Sequence, residues 1–159
     1  MKFIEVSILS ESNKREILKL WNNEYPEKLG FQHIAEFEKY LAELTAPSHI
    51  LMLDHNSKVK IWYVCFTREN EKWFALILDS SFQGKGLGTK LLNRAKEKEP
   101  ELNAWVIDHN NDRKKNGEHY NSPLDFYLKN GFELITHNRL ELKKISAVKI
   151  KWKHKNESL

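Results

Sequence analysis

The chain has 159 residues, of which 40% are hydrophobic, and carries a formal charge of +4 with an isoelectric point near 9.0. That size and apolar content suit one domain spanning residues 1–159, and the basic balance favours an anionic partner such as a phosphorylated cofactor, an acidic surface or nucleic acid. The longest apolar runs, Ile61–Phe66 and Trp73–Leu78, are six residues each; a bilayer requires roughly 18 to 20, so they read as buried strands and no membrane partner is expected.

A first strand is expected over Lys2–Ile8, where Glu5 and the polar stretch Ser10–Asn13 interrupt any export signal; cytoplasmic residence follows as the expectation. Asn13 with Glu16 three residues on predicts a capped helix start, Ile17, Leu20 and Trp21 mark its apolar face, and Pro26 ends it. Ile34, Phe37, Leu41 and Leu44 recur at helical spacing before Pro47, predicting a second helix from Ile34 to Leu44. Three β-rich runs follow, Ile50–Leu53, Val59–Thr67 and Trp73–Leu78, separated by turn-like His55–Ser57 and polar Arg68–Glu71, as in an antiparallel meander. Cys65, the single cysteine, lies inside the second run and reads as a small core residue rather than a nucleophile.

Leu87, Leu91, Leu92 and Ala95 predict a third helix that stops at Pro100, and a strand Ala104–Ile107 follows. Beyond a polar loop, Ser122 as cap, Pro123 as first helical residue and Gly131 past the end frame a short helix. Strands near Phe132–Ile135 and Ala147–Trp152 complete the order β-α-α-β-β-β-α-β-α-β-β. This is an α/β chain with a single mixed, mostly antiparallel sheet flanked by helices.

The segment richest in chemistry runs from Leu76 to Thr89: a buried strand, a short turn, then glycines at 84, 86 and 88 opening a helix. Bare backbone N–H groups at a helix N-terminus attract phosphate, and Lys85 and Lys90 add positive charge. A Walker loop fails because the residue five after Gly84 is Thr89, and a dinucleotide fingerprint fails because its third glycine would fall at 89 rather than 88. What remains is Q-x-x-G-x-G, met by Gln83, Gly86 and Gly88.

Strand, Q-x-x-G-x-G and helix together resemble the acetyl-CoA-binding motif of the GNAT superfamily of N-acetyltransferases. Tyr127-x-x-x-Gly131-Phe132, about forty residues downstream, is similar to that superfamily's second signature, and the element order agrees over nearly the whole chain. The resemblance implies a GNAT fold with a splayed central pair of parallel strands, Trp73–Leu78 and Ala104–Ile107, and acetyl-CoA wedged between them as acyl donor, with no metal. Gln83, Gly84, Lys85, Gly86, Leu87, Gly88 and Thr89 would hold its pyrophosphate, and the backbone of Ile77 and Leu78 its pantetheine arm. By the same resemblance Tyr127 would protonate the departing thiolate; its competing reading is a core aromatic beside Leu124 and Leu128.

Many members carry a glutamate on the strand before the glycine turn, and Trp73–Leu78 has none. Asp108 and His109, ending the partner strand, are the substitutes the order of residues offers, with Glu24 behind them. In the loop Asn110–Asn121, Arg113, Lys114 and Lys115 could reach the 3′-phosphate side of CoA, and Asn116 and Ser122 are further polar contacts. His109 and His119 lack a third well-spaced ligand for a metal. Lysines 143, 144, 149, 151, 153 and 155, alternating with Val148, Ile150 and Trp152, read as an edge strand guarded by charge rather than as a nucleic-acid stripe.

The expected activity is acetyl transfer to a primary amine on a small molecule or peptide. The alternative is an acyl-CoA-sensing or nucleic-acid-binding module of the same fold. The acceptor region, Trp21 to Leu44, shows no specificity motif beyond Tyr25, Phe31 and His33 as candidate pocket residues, and the resemblance also allows a homodimer.

Overall fold

In the computed structural model, which describes residues 2–155, Ser10 rather than Asn13 opens the first helix. Its Oγ accepts the Asn13 N–H at 3.0 Å, so helix α1 runs Glu11–Glu24, three residues ahead of the expected start. Both residues are cap formers; the earlier one wins and gains the helix most of a turn. Tyr25 leaves the helix extended, as a residue before proline must, and a short 3-10 turn at Glu27–Leu29 leads to α2, Ile34–Ala42.

The element order is the expected one, with strands β1 Phe3–Val6, β2 Thr45–Leu53, β3 Val59–Arg68, β4 Glu71–Leu78, β5 Glu101–Val106, β6 Glu133–Leu142 and β7 Ile145–Lys153. Helices α3, Leu87–Lys98, and α4, Leu124–Lys129, complete it. The strands form a single sheet in the order β1-β2-β3-β4-β5-β7-β6, antiparallel except where β4 meets β5.

Three expectations need correction. Pro47 does not close the α2 segment but lies inside β2, between Thr45 and Ser48, where the pairing with β3 slips; β1 joins only from His49 onward, so the missing N–H costs no ladder bond. The strand expected near Phe132–Ile135 extends to Leu142, its polar outer residues hidden from a hydrophobicity pattern because β6 is the exposed edge. The basic strand β7 is therefore interior, between β5 and β6, not an edge. Two of its lysines are paired with acids of β4 and β5: Lys149 and Lys151 reach Glu71 at 3.1 and 2.8 Å, and Lys151 also reaches Glu101 at 3.3 Å.

Alternation along the strands divides the core. On one face Phe74, Ala104, Val106 and Ile150 pack under α3 and α4 with Tyr127 and Phe132. On the other Trp62, Val64, Phe66, Trp73 and Ile77 meet α1 and α2. Trp21 is the hub there, its ring 4.6–6.2 Å from those of Tyr25, Phe31, Phe37, Tyr40 and Trp62. Cys65 is buried in the first core, and burial pushes its thiol up to about 11, so it stays an unreactive thiol. Among the described residues no helix is long and apolar enough to cross a membrane.

Candidate active site

Two parallel strands that stay paired leave no room between them, so the site begins where β4 and β5 part. They share one register point, Trp73 with Asn103. That vertex is clamped by side chains: the Lys72 N–H donates to Glu101 Oε2 at 3.0 Å, and Asn103 Nδ2 donates to the Lys72 carbonyl at 3.0 Å. Beyond it the strands diverge, leaving the backbone of Leu76, Ile77 and Leu78 along a cleft of about 600 Å³. This is a volume usual for a cofactor site.

The cleft floor is built by the turn after β4. Asp79 caps a 3-10 turn at Ser80–Phe82, and the chain then enters α3 through Gly84 at φ +76° and Gly86 at φ +78°. The left-handed region is costly for any residue with a Cβ, so glycine at these two positions lets the helix start point-blank at the cleft. The N–H groups of Leu87, Gly88 and Thr89 fall in the first turn, with no intrahelical acceptor. They and the dipole suit a pyrophosphate. Gly88 is also the packing contact with α4, since a Cβ there would stand 2.9 Å from Phe126 Cζ.

Of the residues the sequence nominates, Ile77, Leu78, Gln83, Gly84, Gly86, Leu87, Gly88, Thr89, Ser122 and Tyr127 line this one cleft. The Gln83 side chain is turned inward, Nε2 donating to the Leu78 carbonyl at 3.2 Å, and so braces the turn. Ser122 Oγ donates to the Ile107 carbonyl at 2.6 Å and accepts the Leu124 N–H at 3.2 Å, tying α4 to the end of β5; the helix itself starts one residue later than expected. Lys85 is off the lining, its ammonium 5.4 Å from the Phe82 ring centre. Asn116 is likewise outside, engaged by Glu118 at 2.9 Å.

Asp108 and His109 line neither this cleft nor the cavity behind it. Asp108 is held by Arg139 through two bonds of 2.8 and 3.1 Å, and that guanidinium keeps its carboxyl below the usual range. His109 Nδ1 accepts the Asn111 N–H at 3.1 Å, with Asp112 at 4.0 Å from its other nitrogen. Neither side chain lies where an amine would meet the cleft.

Glu24, the weakest of the sequence candidates, is the carboxylate that does line the cleft. It accepts from Ser80 N–H at 3.0 Å, Ser80 Oγ at 2.7 Å and Lys114 Nζ at 3.0 Å, fastening the end of α1 to the turn after β4 and to the 110–121 loop. Three donor groups from two residues make it a clasp. Tyr25, a candidate pocket residue of the sequence, also lines the cleft, as do Tyr120 and Phe126, which carry no motif by which sequence could single them out; only the fold brings α1, the loop and α4 together.

Tyr127 sits where two cavities meet. A second space of about 260 Å³ opens on the α1/α2 face and shares Tyr25, Leu76, Tyr120, Pro123 and Tyr127 with the cleft. Its lining takes Trp73, Ala75 and Trp105 from one side of the sheet and Phe74, Ala104 and Val106 from the other, so it passes through the gap between β4 and β5. The Tyr127 ring is 6% exposed, wedged among Phe74, Phe126 and Phe132 at 5.1–5.8 Å. Its hydroxyl has no hydrogen-bond partner among the described residues, and burial holds the phenol well above its ordinary range, keeping it a protonated donor.

A cleft that ends on the bare N–H groups of a helix N-terminus and runs along open strand backbone suits an elongated, phosphate-bearing cofactor. A family model described as an acetyltransferase (GNAT) domain matches residues 46–134. The chain belongs to the GNAT acetyltransferases, enzymes that use acetyl-CoA as acyl donor. Among solved structures it is similar to an aminoglycoside 6'-N-acetyltransferase complexed with coenzyme A, at TM-score 0.73 and 14% identity over 99% of each chain. It is also similar to a phosphinothricin acetyltransferase from Sinorhizobium meliloti in complex with AcCoA, at TM-score 0.65 and 14% identity over 96% of this chain and 89% of that one. A spermidine/spermine N-acetyltransferase from Vibrio cholerae has TM-score 0.63 and 16% identity over 95% and 92%. At such identities the likeness is one of fold. No protein of curated function is matched by the sequence.

Proposed function

We propose that the chain, as one catalytic domain over residues 1–159, transfers the acetyl group of acetyl-CoA to a primary amine that enters from the α1/α2 face. The observation that carries this reading is the meeting of the glycine-loop cleft and the aromatic cavity at Tyr127, through the opening between β4 and β5. When bound, acetyl-CoA supplies the thioester carbon that the amine attacks and the sulfur that leaves.

The residues of the chain divide the work. N–H groups of Leu87–Thr89 take the pyrophosphate and the open edge of Leu76–Leu78 orients the pantetheine amides, so the reacting atoms are held rather than encountered. Tyr127 shares its proton with the sulfur as the C–S bond breaks and charge develops there, and the proton that the attacking nitrogen loses on becoming an amide restores the phenol, so that amine and thioester leave as amide and free thiol. No carboxylate lines the inner cavity among the described residues. An ammonium entering that apolar space loses its hydration, which lowers its pKa, so the amine reacts neutral, its proton having gone to water. The missing strand glutamate is thereby offset by burial rather than replaced by Asp108 or His109.

The reading is tested by incubating the protein with acetyl-CoA and a panel of primary amines at pH 8 and following thiol release. Acetyl-CoA should also raise the melting temperature by mass action on the folded state. Stabilisation without transfer to any amine would leave a binding module; no stabilisation at millimolar acetyl-CoA would remove the cofactor site as well.

A further inference from the structure

The inner cavity has a chemical signature that the fold alone does not dictate. Its walls are aromatic, with Trp21, Tyr40, Phe66, Trp73 and Trp105 on the α1/α2 side, and the one charged side chain in its lining is Arg68. The Arg68 guanidinium lies 5.0 Å from the Phe66 ring centre and 5.1 Å from that of Trp73. Two of these rings, Phe66 and Trp73, thus already hold a cation of the protein, which repels a second positive charge brought beside them.

Arg68 makes no ion pair among the described residues. Glu71, opposite it in the β3–β4 register, is taken by Lys149 and Lys151. Glu43 and Glu69 share a shallow groove with Arg68 on its outer side, and neither is in ion-pair contact with it. The cavity thus presents one guanidinium free of ion pairs and no acid among the described residues, the reverse of what a polycation needs.

Position sets the geometry. Trp73, which carries Arg68, and Leu76, which lies at the junction with Tyr127, are three residues apart on β4, a separation of roughly 10 Å at strand rise. The cavity volume of about 260 Å³ is below the roughly 300–1,000 Å³ of sites for drug-sized ligands, which suits a single ring system rather than a multi-ring glycoside.

We propose that the acceptor is an aromatic primary amine bearing an acid group at the end opposite its nitrogen, the ring stacked among Trp73, Trp105 and Tyr40 and the acid paired with Arg68. This rests on the acetyl transfer argued above. A bidentate pair with a guanidinium supplies both affinity and orientation, delivering the amine end to the thioester.

The test compares 4-(2-aminoethyl)benzoate with 2-(4-methylphenyl)ethylamine, which has the same shape and no acid, and with spermidine as a cation. Transfer is read as kcat/KM, and binding to the CoA-loaded protein as quenching of tryptophan fluorescence. The acid probe should be preferred over its neutral partner by about tenfold, the equivalent of one charge-assisted bond. In Arg68→Gln that ratio should fall to about one while the melting temperature holds, Arg68 being exposed. A wild-type ratio near one, or spermidine as the best acceptor, overturns the proposal and leaves the transferase reading standing. Selective binding of the acid probe, lost in Arg68→Gln, with no amine acetylated, supports the ligand class and sinks the transferase reading. Neither binding nor transfer of the acid probe overturns this acceptor class, and the transferase reading is then decided by the wider amine panel.

Discussion

Replacing Tyr127 by phenylalanine removes one oxygen and leaves the ring contacts with Phe74, Phe126 and Phe132 in place. The lost hydroxyl has no hydrogen-bond partner among the described residues, so stability should change by less than about 1 kcal/mol, which in a domain of this size is roughly 2–4 °C in melting temperature. Turnover should fall much further. Positioned acids contribute on the order of 10² to 10⁴ in rate, and even the lower figure is about 2.7 kcal/mol of barrier. The assay is release of the CoA thiol at saturating amine and acetyl-CoA, paired with calorimetric titration of acetyl-CoA. Affinity should stay within about threefold, because the contacts proposed for the pyrophosphate and pantetheine lie on α3 and β4. Since burial raises the phenol, the wild-type rate should also show no decline from Tyr127 ionisation below pH 10. A kcat within about twofold of wild type would refute the acid role. A fall of many degrees in melting temperature would instead assign Tyr127 to packing.

Two further outcomes probe the frame around the site. In Gly88→Ala the new methyl meets Phe126 at 2.9 and 3.3 Å and Leu78 at 3.6 Å; such overpacking costs about 1–3 kcal/mol, and because Phe126 lines the cleft, CoA affinity should drop with the melting temperature. Unchanged values for both would show that α4 yields freely. His49, buried with Nδ1 accepting the Trp62 indole N–H at 3.0 Å, has its pKa lowered to about 4 by desolvation. The unfolded chain binds the proton first, so this stability is complete above pH ~6.5 and is lost as pH falls toward 4, by up to about 3 kcal/mol. Urea midpoints at pH 7.5 and 4.5 should show a smaller pH decrement for His49→Gln than for wild type, and equal decrements would dismiss the assignment.

The glycine loop was legible because its requirements are local. Positive φ at Gly84 and Gly86, a strand before and a helix after are all written within a dozen residues. Tyr127 was legible for the same reason, as part of a short helix ended by Gly131. The misjudged positions depend on pairing across the chain. Nothing near Lys149 and Lys151 in sequence is acidic, yet Glu71 and Glu101 meet them across the sheet. Asp108 stands at the end of the strand expected to face the cleft, but Arg139, thirty-one residues on, draws it to β6. Glu24 is marked only by the partners the fold brings, Ser80 and Lys114.

The same distinction governs the charge. A chain of isoelectric point near 9.0 with six C-terminal lysines invites a nucleic-acid reading, and a phosphate-tracking stripe requires that such lysines be solvated and unpaired. Lys149 and Lys151 are neither, because β7 lies inside the sheet and Glu71 occupies both. Lys85 and Lys90, which flank the glycines that open α3, are exposed and make no ion pair among the described residues. Positive charge is thus left uncompensated beside the bare N–H groups of Leu87–Thr89 and cancelled along the strand where sequence concentrates it. A long-range field of this kind raises the local concentration of a multiply charged phosphate ester at the cleft even where no lysine lines it. What the basic composition means is set by which lysines the fold leaves unpaired.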